Sequence, residues 1–237
     1  SKLVFINKPE KIEKNNKIAV IVPYRDNVLQ NRKSQLTQFL NYFKSYLLDF
    51  NFKIFVIEQS DDNLKFNRGK LLNIGIKLAL EQGYDNFITH DVDLLPNIEL
   101  LPFYTNTFDM PIHIAHSFSK YNYEEYFGGI VSFNRNLINK FNGYPNNFWG
   151  WGGEDDSLYN RVTENIGIIG KPSFGKVNDL LHDDTPKDNK NQSKWENILN
   201  DLKTWKNNGL NNLQYDVISQ ENFDKISRIK VNIKMIK

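Results

Sequence analysis

The chain has 237 residues, 40% of them hydrophobic and 14% aromatic, enough for one large domain with a packed core. Thirty basic against 28 acidic residues leave a net charge of +2, which gives no electrostatic case for nucleic acid. Cysteine is absent, which excludes disulfides and thiolate metal sites. No run of about 18 apolar residues marks a membrane span, and no signal-peptide pattern is read.

Lys17 to Val22 is a continuous apolar run closed by Pro23, the pattern of a buried parallel strand. The polar loop Pro23-Tyr24-Arg25-Asp26-Asn27 follows at the strand's carboxyl end, where open α/β sheets bind ligands. Arg25 there suits a phosphate, a uracil edge or plain solvent. Leu36, Phe39, Leu40, Phe43 and Leu47 recur at helical spacing and predict a helix over about 30–48. Lys53 to Ile57 reads as a second buried strand. Phe66-Asn67-Arg68-Gly69-Lys70 then opens a helix carried by Leu71, Leu72, Gly75, Leu78 and Ala79. A basic, glycine-containing helix start can hold phosphate on its backbone N–H groups.

Asn86 to Thr89 is a third strand, and it runs into His90-Asp91-Val92-Asp93. Two aspartates one residue apart at a strand end bring carboxylates near one point. Hard divalent ions take such sites, often shared with substrate phosphates. The plain alternative is a capped turn starting a helix near Pro96. Alternating strands and helices argue a parallel sheet with helical crossovers. Pro111 to Ala115, and the residues after Tyr126-Phe127-Gly128-Gly129, predict further strands, with His113 and His116 read as structural.

The stretch Asn147-Phe148-Trp149-Gly150-Trp151-Gly152-Gly153-Glu154-Asp155-Asp156 is the densest in chemistry. Adjacent carboxylates repel and need a cation, a hydrogen-bonding ligand or open water. Glycines admit close approach of backbone to ligand, and tryptophans offer flat apolar floors that suit sugar rings. The bland reading is a Gly-rich loop whose acids complement the start of a helix. Ile166 to Ile169 predicts another strand, and Trp195 to Trp205 a helix. Asn178 to Asp184, with Asp179 and His182, is a second candidate metal contributor. Residues 183–194 read as a mobile loop and 1–16 as an N-terminal extension of a single 1–237 domain. Ile229, Val231, Ile233 and Met235 alternate as a C-terminal strand, expected to be an antiparallel edge.

Together Val22-Pro23-Tyr24-Arg25, Phe66-Asn67-Arg68 with Lys70-Leu71-Leu72-Asn73, Asp91-Val92-Asp93-Leu94, Tyr126-Phe127-Gly128-Gly129, the block Asn146 to Asp156, His182 and Gly209-Leu210-Asn211 resemble the β-1,4-galactosyltransferase family. The resemblance runs from about Lys17 to the C-terminus. It implies a GT-A type α/β domain around a mixed, mostly parallel sheet, and inverting transfer of galactose from UDP-galactose to a carbohydrate acceptor. It implies Asp155 as general base, with Asp93 and His182 holding Mn2+ (or Mg2+) on the diphosphate. Many animal members carry a methionine where Asp179 stands, so Asp179 is a harder candidate ligand.

The same resemblance places the donor at Pro23, Tyr24, Arg25, Asn27, Phe66, Asn67, Arg68, Asp91, Val92 and Trp151, Asn27 standing where an arginine is usual. It places the acceptor at Tyr126, Gly128, Gly129, Gly152, Gly153, Glu154, Asp155, Asp156, Lys194 and Trp195. Tyr126 favours galactose over N-acetylgalactosamine. Lys194 and Trp195 match an Arg–aromatic pair that meets N-acetylglucosamine, whereas His90 is reminiscent of the branch that galactosylates xylose; Gly153, an arginine in that branch, points back to N-acetylglucosamine. Transfer of N-acetylgalactosamine or glucose, a non-catalytic carbohydrate-binding protein and a metal-dependent phosphohydrolase are the rival readings. Without disulfides or a span, a cytoplasmic bacterial or viral enzyme is expected. Membrane association and a Golgi-lumen fragment are the alternatives, since a start at Ser1 leaves room for an upstream anchor.

Overall fold

The computed structural model describes residues 2–118, 120–121, 123–181 and 187–234. The chain begins with β1 (Lys2–Ile6) and β2 (Ile18–Tyr24), followed by α1 (Arg32–Tyr46), β3 (Phe52–Gln59), α2 (Arg68–Glu81), β4 (Asn86–His90) and the short β5 (Leu94–Pro96). A 3-10 turn leads into α3 (Leu101–Thr105), then β6 (Ile112–His113), β7 (Ile130–Asn134) and α4 (Arg135–Phe141). The remainder is α5 (Glu154–Asn165), β8 (Ile168–Pro172), β9 (Val177–Asp179), α6 (Lys194–Thr204), β10 (Asp216–Phe223) and β11 (Ile226–Asn232).

Among the described residues one mixed sheet of nine strands runs β1-β8-β6-β7-β4-β2-β3-β11-β10, and β5 pairs with β9 apart from it. β4, β2, β3 and β11 are mutually parallel, as are β1, β8 and β6, while β7 and β10 run antiparallel. The period of two in β2 explains the layers. Ile18, Val20 and Val22 face the core under α1 with Phe39 and Phe43, and Ala19 and Ile21 face the core under α2 with Leu71 and Leu72. Each fully buried Phe or Leu contributes roughly 1.5–3 kcal/mol. With both faces covered, β2, β3 and β4 have no polar alternation to show, hence the unbroken apolar runs.

Several expectations change here. The C-terminal strand is not an edge: β11 lies inside the sheet, parallel to β3, and β10 caps it. Met235 lies outside the described residues. The strand expected at Pro111 to Ala115 is only Ile112–His113, because Ile114–Ser117 tightens into a 3-10 turn. The stretch 1–16 supplies β1, paired along β8 from Lys2↔Ile168 to Ile6↔Pro172. Within the expected mobile loop, 183–186 are outside the described residues; Lys187–Asn189 forms a 3-10 turn and Lys190 bridges to Trp151. No described helix is long and apolar enough to cross a membrane.

Candidate active site

The carboxyl ends of β2 and β4, the start of α2 and the start of α5 converge on one cavity of about 900 Å3. Two asparagines, one capping α2 and one within it, brace the chain that forms one side of this site. Asn67 caps the helix, accepting from the Lys70 N–H at 3.0 Å, and its amide donates to the Asn146 carbonyl at 2.8 Å. Asn73 donates to the Tyr144 carbonyl at 2.7 Å and accepts from the Tyr144 N–H at 2.8 Å. They hold the chain that leads into α5. Gly153 ends that chain as the α5 N-cap at φ 100°, a left-handed conformation that a side chain would strain.

At the centre lies Arg68. Its Nε donates to Asp91 Oδ1 at 2.7 Å and its Nη1 to Asp155 Oδ1 at 2.7 Å, with Glu154 Oε1 at 3.5 Å. One cation thus serves three carboxylates. Arg68 Nη2 and Glu154 Oε2 are buried without a hydrogen-bond partner, a costly state that a polar ligand can relieve. Burial pushes the Asp155 carboxyl well above the usual aspartate range; Arg68 opposes this, and Glu154 and Asp91 add to it. Glu154 and Asp91 are raised first by burial too. Although burial works against its charge, Asp155 and Asp91 hold the guanidinium of Arg68 firmly protonated. Gly128 packs against the other oxygen of Asp155: a Cβ there would stand 2.3 Å from Oδ2. One Asp155 oxygen is thus held by Arg68, and the other fits against Gly128 only because that residue has no side chain.

Asp93 lies beside this cluster. Arg32, in the first turn of α1, donates to its Oδ2 at 3.1 Å. The β5–β9 pairing sets Leu94 opposite Asp179, and the Leu180 N–H donates to the Asp93 carbonyl at 2.7 Å. Both aspartates line the cavity. His182 lies outside the described residues, and among those described no three His, Asp or Glu side chains group as a metal site. Arg32 is a site residue that sequence reasoning missed. Asn27, read as a donor contact, spends its side chain on its own turn, accepting from the Leu29 and Gln30 N–H groups. The guanidinium on this wall comes from five residues further on. Its signal was a basic residue at a helix start, legible only once the helix boundary is known.

On the other expected donor positions, Arg25 donates to the Leu64 carbonyl at 2.9 Å and sits 5.7 Å from the Phe66 ring centroid, and Pro23 and Val92 line the cavity with it. The backbone of Trp151 is clasped by Asn189 and Asn191 while its ring stays exposed over the cavity. Asn67 does not line the cavity; its part is to hold the Asn146 loop.

Most positions expected to meet the acceptor line the same cavity, among them Tyr126, Gly129, Asp155, Asp156, Lys194 and Trp195. Lys194 pairs with Asp156 at 3.0 Å and lies 4.9 Å from the Trp195 ring. Tyr126 is buried against Tyr121, Tyr123 and His113. Tyr123 is a second missed residue. It lines the same cavity as Asp155 and Asp156, and burial and then the charges of Asp156 and Asp155 push its hydroxyl up to about 12. His113 and His90 are core residues. His90 donates from Nδ1 to the Asp91 carbonyl and accepts at Nε2 from Tyr104, both at 2.8 Å, between Phe39 and Phe43. Burial holds it neutral, its pKa near 3. Buried beneath the Asp91 turn, it orients backbone rather than touching an acceptor.

Residues 4–104 match the family described as the N-terminal region of glycosyl transferase group 7, and 109–183 one described as the N-terminal domain of galactosyltransferase. The catalytic domain of Drosophila β1,4-galactosyltransferase 7, solved with xylobiose, superposes with a TM-score of 0.74 at 30% identity, over 93% of this chain and 95% of that one. The chain belongs to the β-1,4-galactosyltransferase family. Its sheet is accordingly of GT-A type. Bovine β-1,4-galactosyltransferase 1 is 34% identical over 92% of this chain, and rat β-1,4-galactosyltransferase 4 is 34% identical over 95%. This family member spans 54% of the bovine relative's length and 66% of the rat one's. A variant of the Drosophila enzyme was solved with manganese, UDP-Gal and xylobiose; it superposes at a TM-score of 0.72 and 28% identity.

Proposed function

We infer that the chain transfers galactose from UDP-galactose to a sugar hydroxyl with inversion, forming a β-1,4 linkage. The observation that carries this reading is the Arg68 cluster, which joins Asp155 of α5 to Asp91, the residue after β4, within one cavity. The acceptor oxygen attacks the anomeric carbon, the bond to the diphosphate oxygen breaks, and the acceptor proton passes to Asp155. A carboxylate suffices because the hydroxyl acidifies as the bond forms, and a raised pKa brings the base closer to working pH. Arg68 holds Oδ1 and so aims Oδ2 past Gly128.

Pro23, Arg25, Phe66 and Val92 form the uridine wall, Trp151 covers the donor, and Arg32 faces the diphosphate. Manganese or magnesium suits the oxygen donors of Asp93 and Asp179, with His182 three residues further along the chain. Arg32 already sets one cation against Asp93, at 3.1 Å. When bound, the ion supplies neutralisation of the departing diphosphate. Tyr126, wedged among Tyr121, Tyr123 and His113, narrows the sugar pocket in favour of galactose.

For the acceptor, Lys194 and Trp195 favour N-acetylglucosamine, although lysine lacks the planar fork of arginine. Xylose is the second reading, favoured by the Drosophila neighbour solved with xylobiose. Release of UDP from UDP-galactose with Mn2+ tests both. Turnover stimulated by N-acetylglucosamine or xylose, and lost in Asp155→Asn or with chelator, supports transfer. UDP binding without turnover on either sugar, or hydrolysis of simple phosphate esters, speaks against it.

A further inference from the structure

Helix α6 carries an apolar stripe that the described fold leaves uncovered. Trp195, Leu199 and Leu202 recur at i, i+4 and i+7, within an arc of about 60° at 3.6 residues per turn. They are 72%, 64% and 46% exposed. Contiguous exposed apolar surface on a helix marks a binding face more often than decoration. The stripe is firmly mounted, because Asp201 on another face of α6 pairs with the buried Arg161 of α5 at 2.6 Å.

Its position says what covers it. Trp195, together with the buried Ile198 beside the stripe, lines the cavity that holds Asp155 and Asp156. The stripe therefore starts in the acceptor wall and runs outward for about 10 Å at 1.5 Å per residue. A molecule that fills both must have a sugar head and an aliphatic tail. We propose that the acceptor is an amphiphile, a sugar glycosidically linked to an alkyl or lipid chain: its head enters the cavity beside Asp155 and its chain lies along Trp195, Leu199 and Leu202. The proposal rests on the transferase reading and specifies its acceptor class. A bilayer or a second copy of the chain would also cover apolar surface, but neither explains why the stripe begins inside the cavity wall.

The test compares methyl and octyl β-glycosides of the same acceptor sugar, with UDP-galactose and Mn2+, in wild type and in Leu199→Ser/Leu202→Ser. Partial burial of the chain should lower the octyl KM by about tenfold relative to methyl, with kcat little changed. The double variant should shrink that ratio to about threefold or less and leave the methyl values as they were. Equal KM values for the two glycosides in wild type, or an undiminished ratio in the variant, would overturn the proposal. So would an unchanged ratio accompanied by loss of vesicle binding or of dimerisation, which would assign the stripe to a bilayer or to a second copy. Titration by tryptophan fluorescence reads the same binding ratio without turnover. Tight octyl-selective binding with no transfer would sink the transferase reading while upholding amphiphile docking.

Discussion

Two arginines in this molecule meet carboxylates in opposite ways. Arg161 is paired with Asp201 by two hydrogen bonds of 2.6 and 2.9 Å, and its remaining donors reach the Gly143 and Asn208 carbonyls at 2.9 and 2.7 Å. Charge is balanced one to one and every nitrogen is used. Arg68 faces three carboxylates, keeps Nη2 without a partner and leaves Glu154 Oε2 unsatisfied. The first arrangement fastens α5 to α6. The second stores unmet electrostatic demand, which is what a site needs if substrate is to complete it.

Substitutions should separate the two. Asp155→Asn should lower kcat by roughly 10²- to 10⁴-fold, the range of a lost general base. It should leave the melting temperature unchanged or raised, because it removes one of three competing charges around Arg68. Turnover within tenfold of wild type, read as UDP release, would remove Asp155 from the base role. Asp201→Ala should act conversely. Stranding the buried Arg161 charge is expected to cost about 3–5 kcal/mol of unfolding free energy, measured by urea denaturation; a loss below about 1 kcal/mol would mean that Arg161 finds other partners.

Smaller effects sharpen the contrast. Arg32→Gln should raise KM for UDP-galactose about tenfold through loss of a charge-assisted contact, with a lesser change in kcat. Unaltered KM would show that Arg32 only neutralises Asp93. The pH profile of kcat/KM should fall on its acid side above the 3.8 of an ordinary aspartate, because burial raises Asp155 and only its ionised form accepts a proton. Glu154→Gln removes a like charge that adds to that rise, so the acid limb should move to lower pH. A limb that stays put would detach it from Asp155. The same raised carboxyls bind protons more tightly folded than unfolded, so ionising them lowers stability as pH rises above the ordinary carboxylate range.

Legibility followed burial. β2, β3 and β4 showed as apolar runs because both faces are covered, and α1 and α2 showed by helical spacing. β10 escaped because all eight of its residues are exposed and no pattern distinguishes it from a loop. β11 was visible as an alternation, but alternation carries no direction. Its parallel pairing with β3, and the cover that β10 gives it, come from the path of the chain.

The sequence by itself determined the chemical inventory: the Trp-Gly-Trp-Gly-Gly block with its three acids, the Asp91–Asp93 pair at a strand end, and a basic start to α2. Short-range spacing and the resemblance were enough for that, since these signals lie within single segments. Tertiary structure decided which groups share a charge. Arg68 reaches Asp155 across 87 positions, Arg32 reaches Asp93 across 61, and Tyr123 lines the cavity of Asp155 and Asp156 from another loop. It also decided that His90 is core. Such meetings depend on how the sheet orders its strands, and no local periodicity encodes a distance between segments so far apart in the chain.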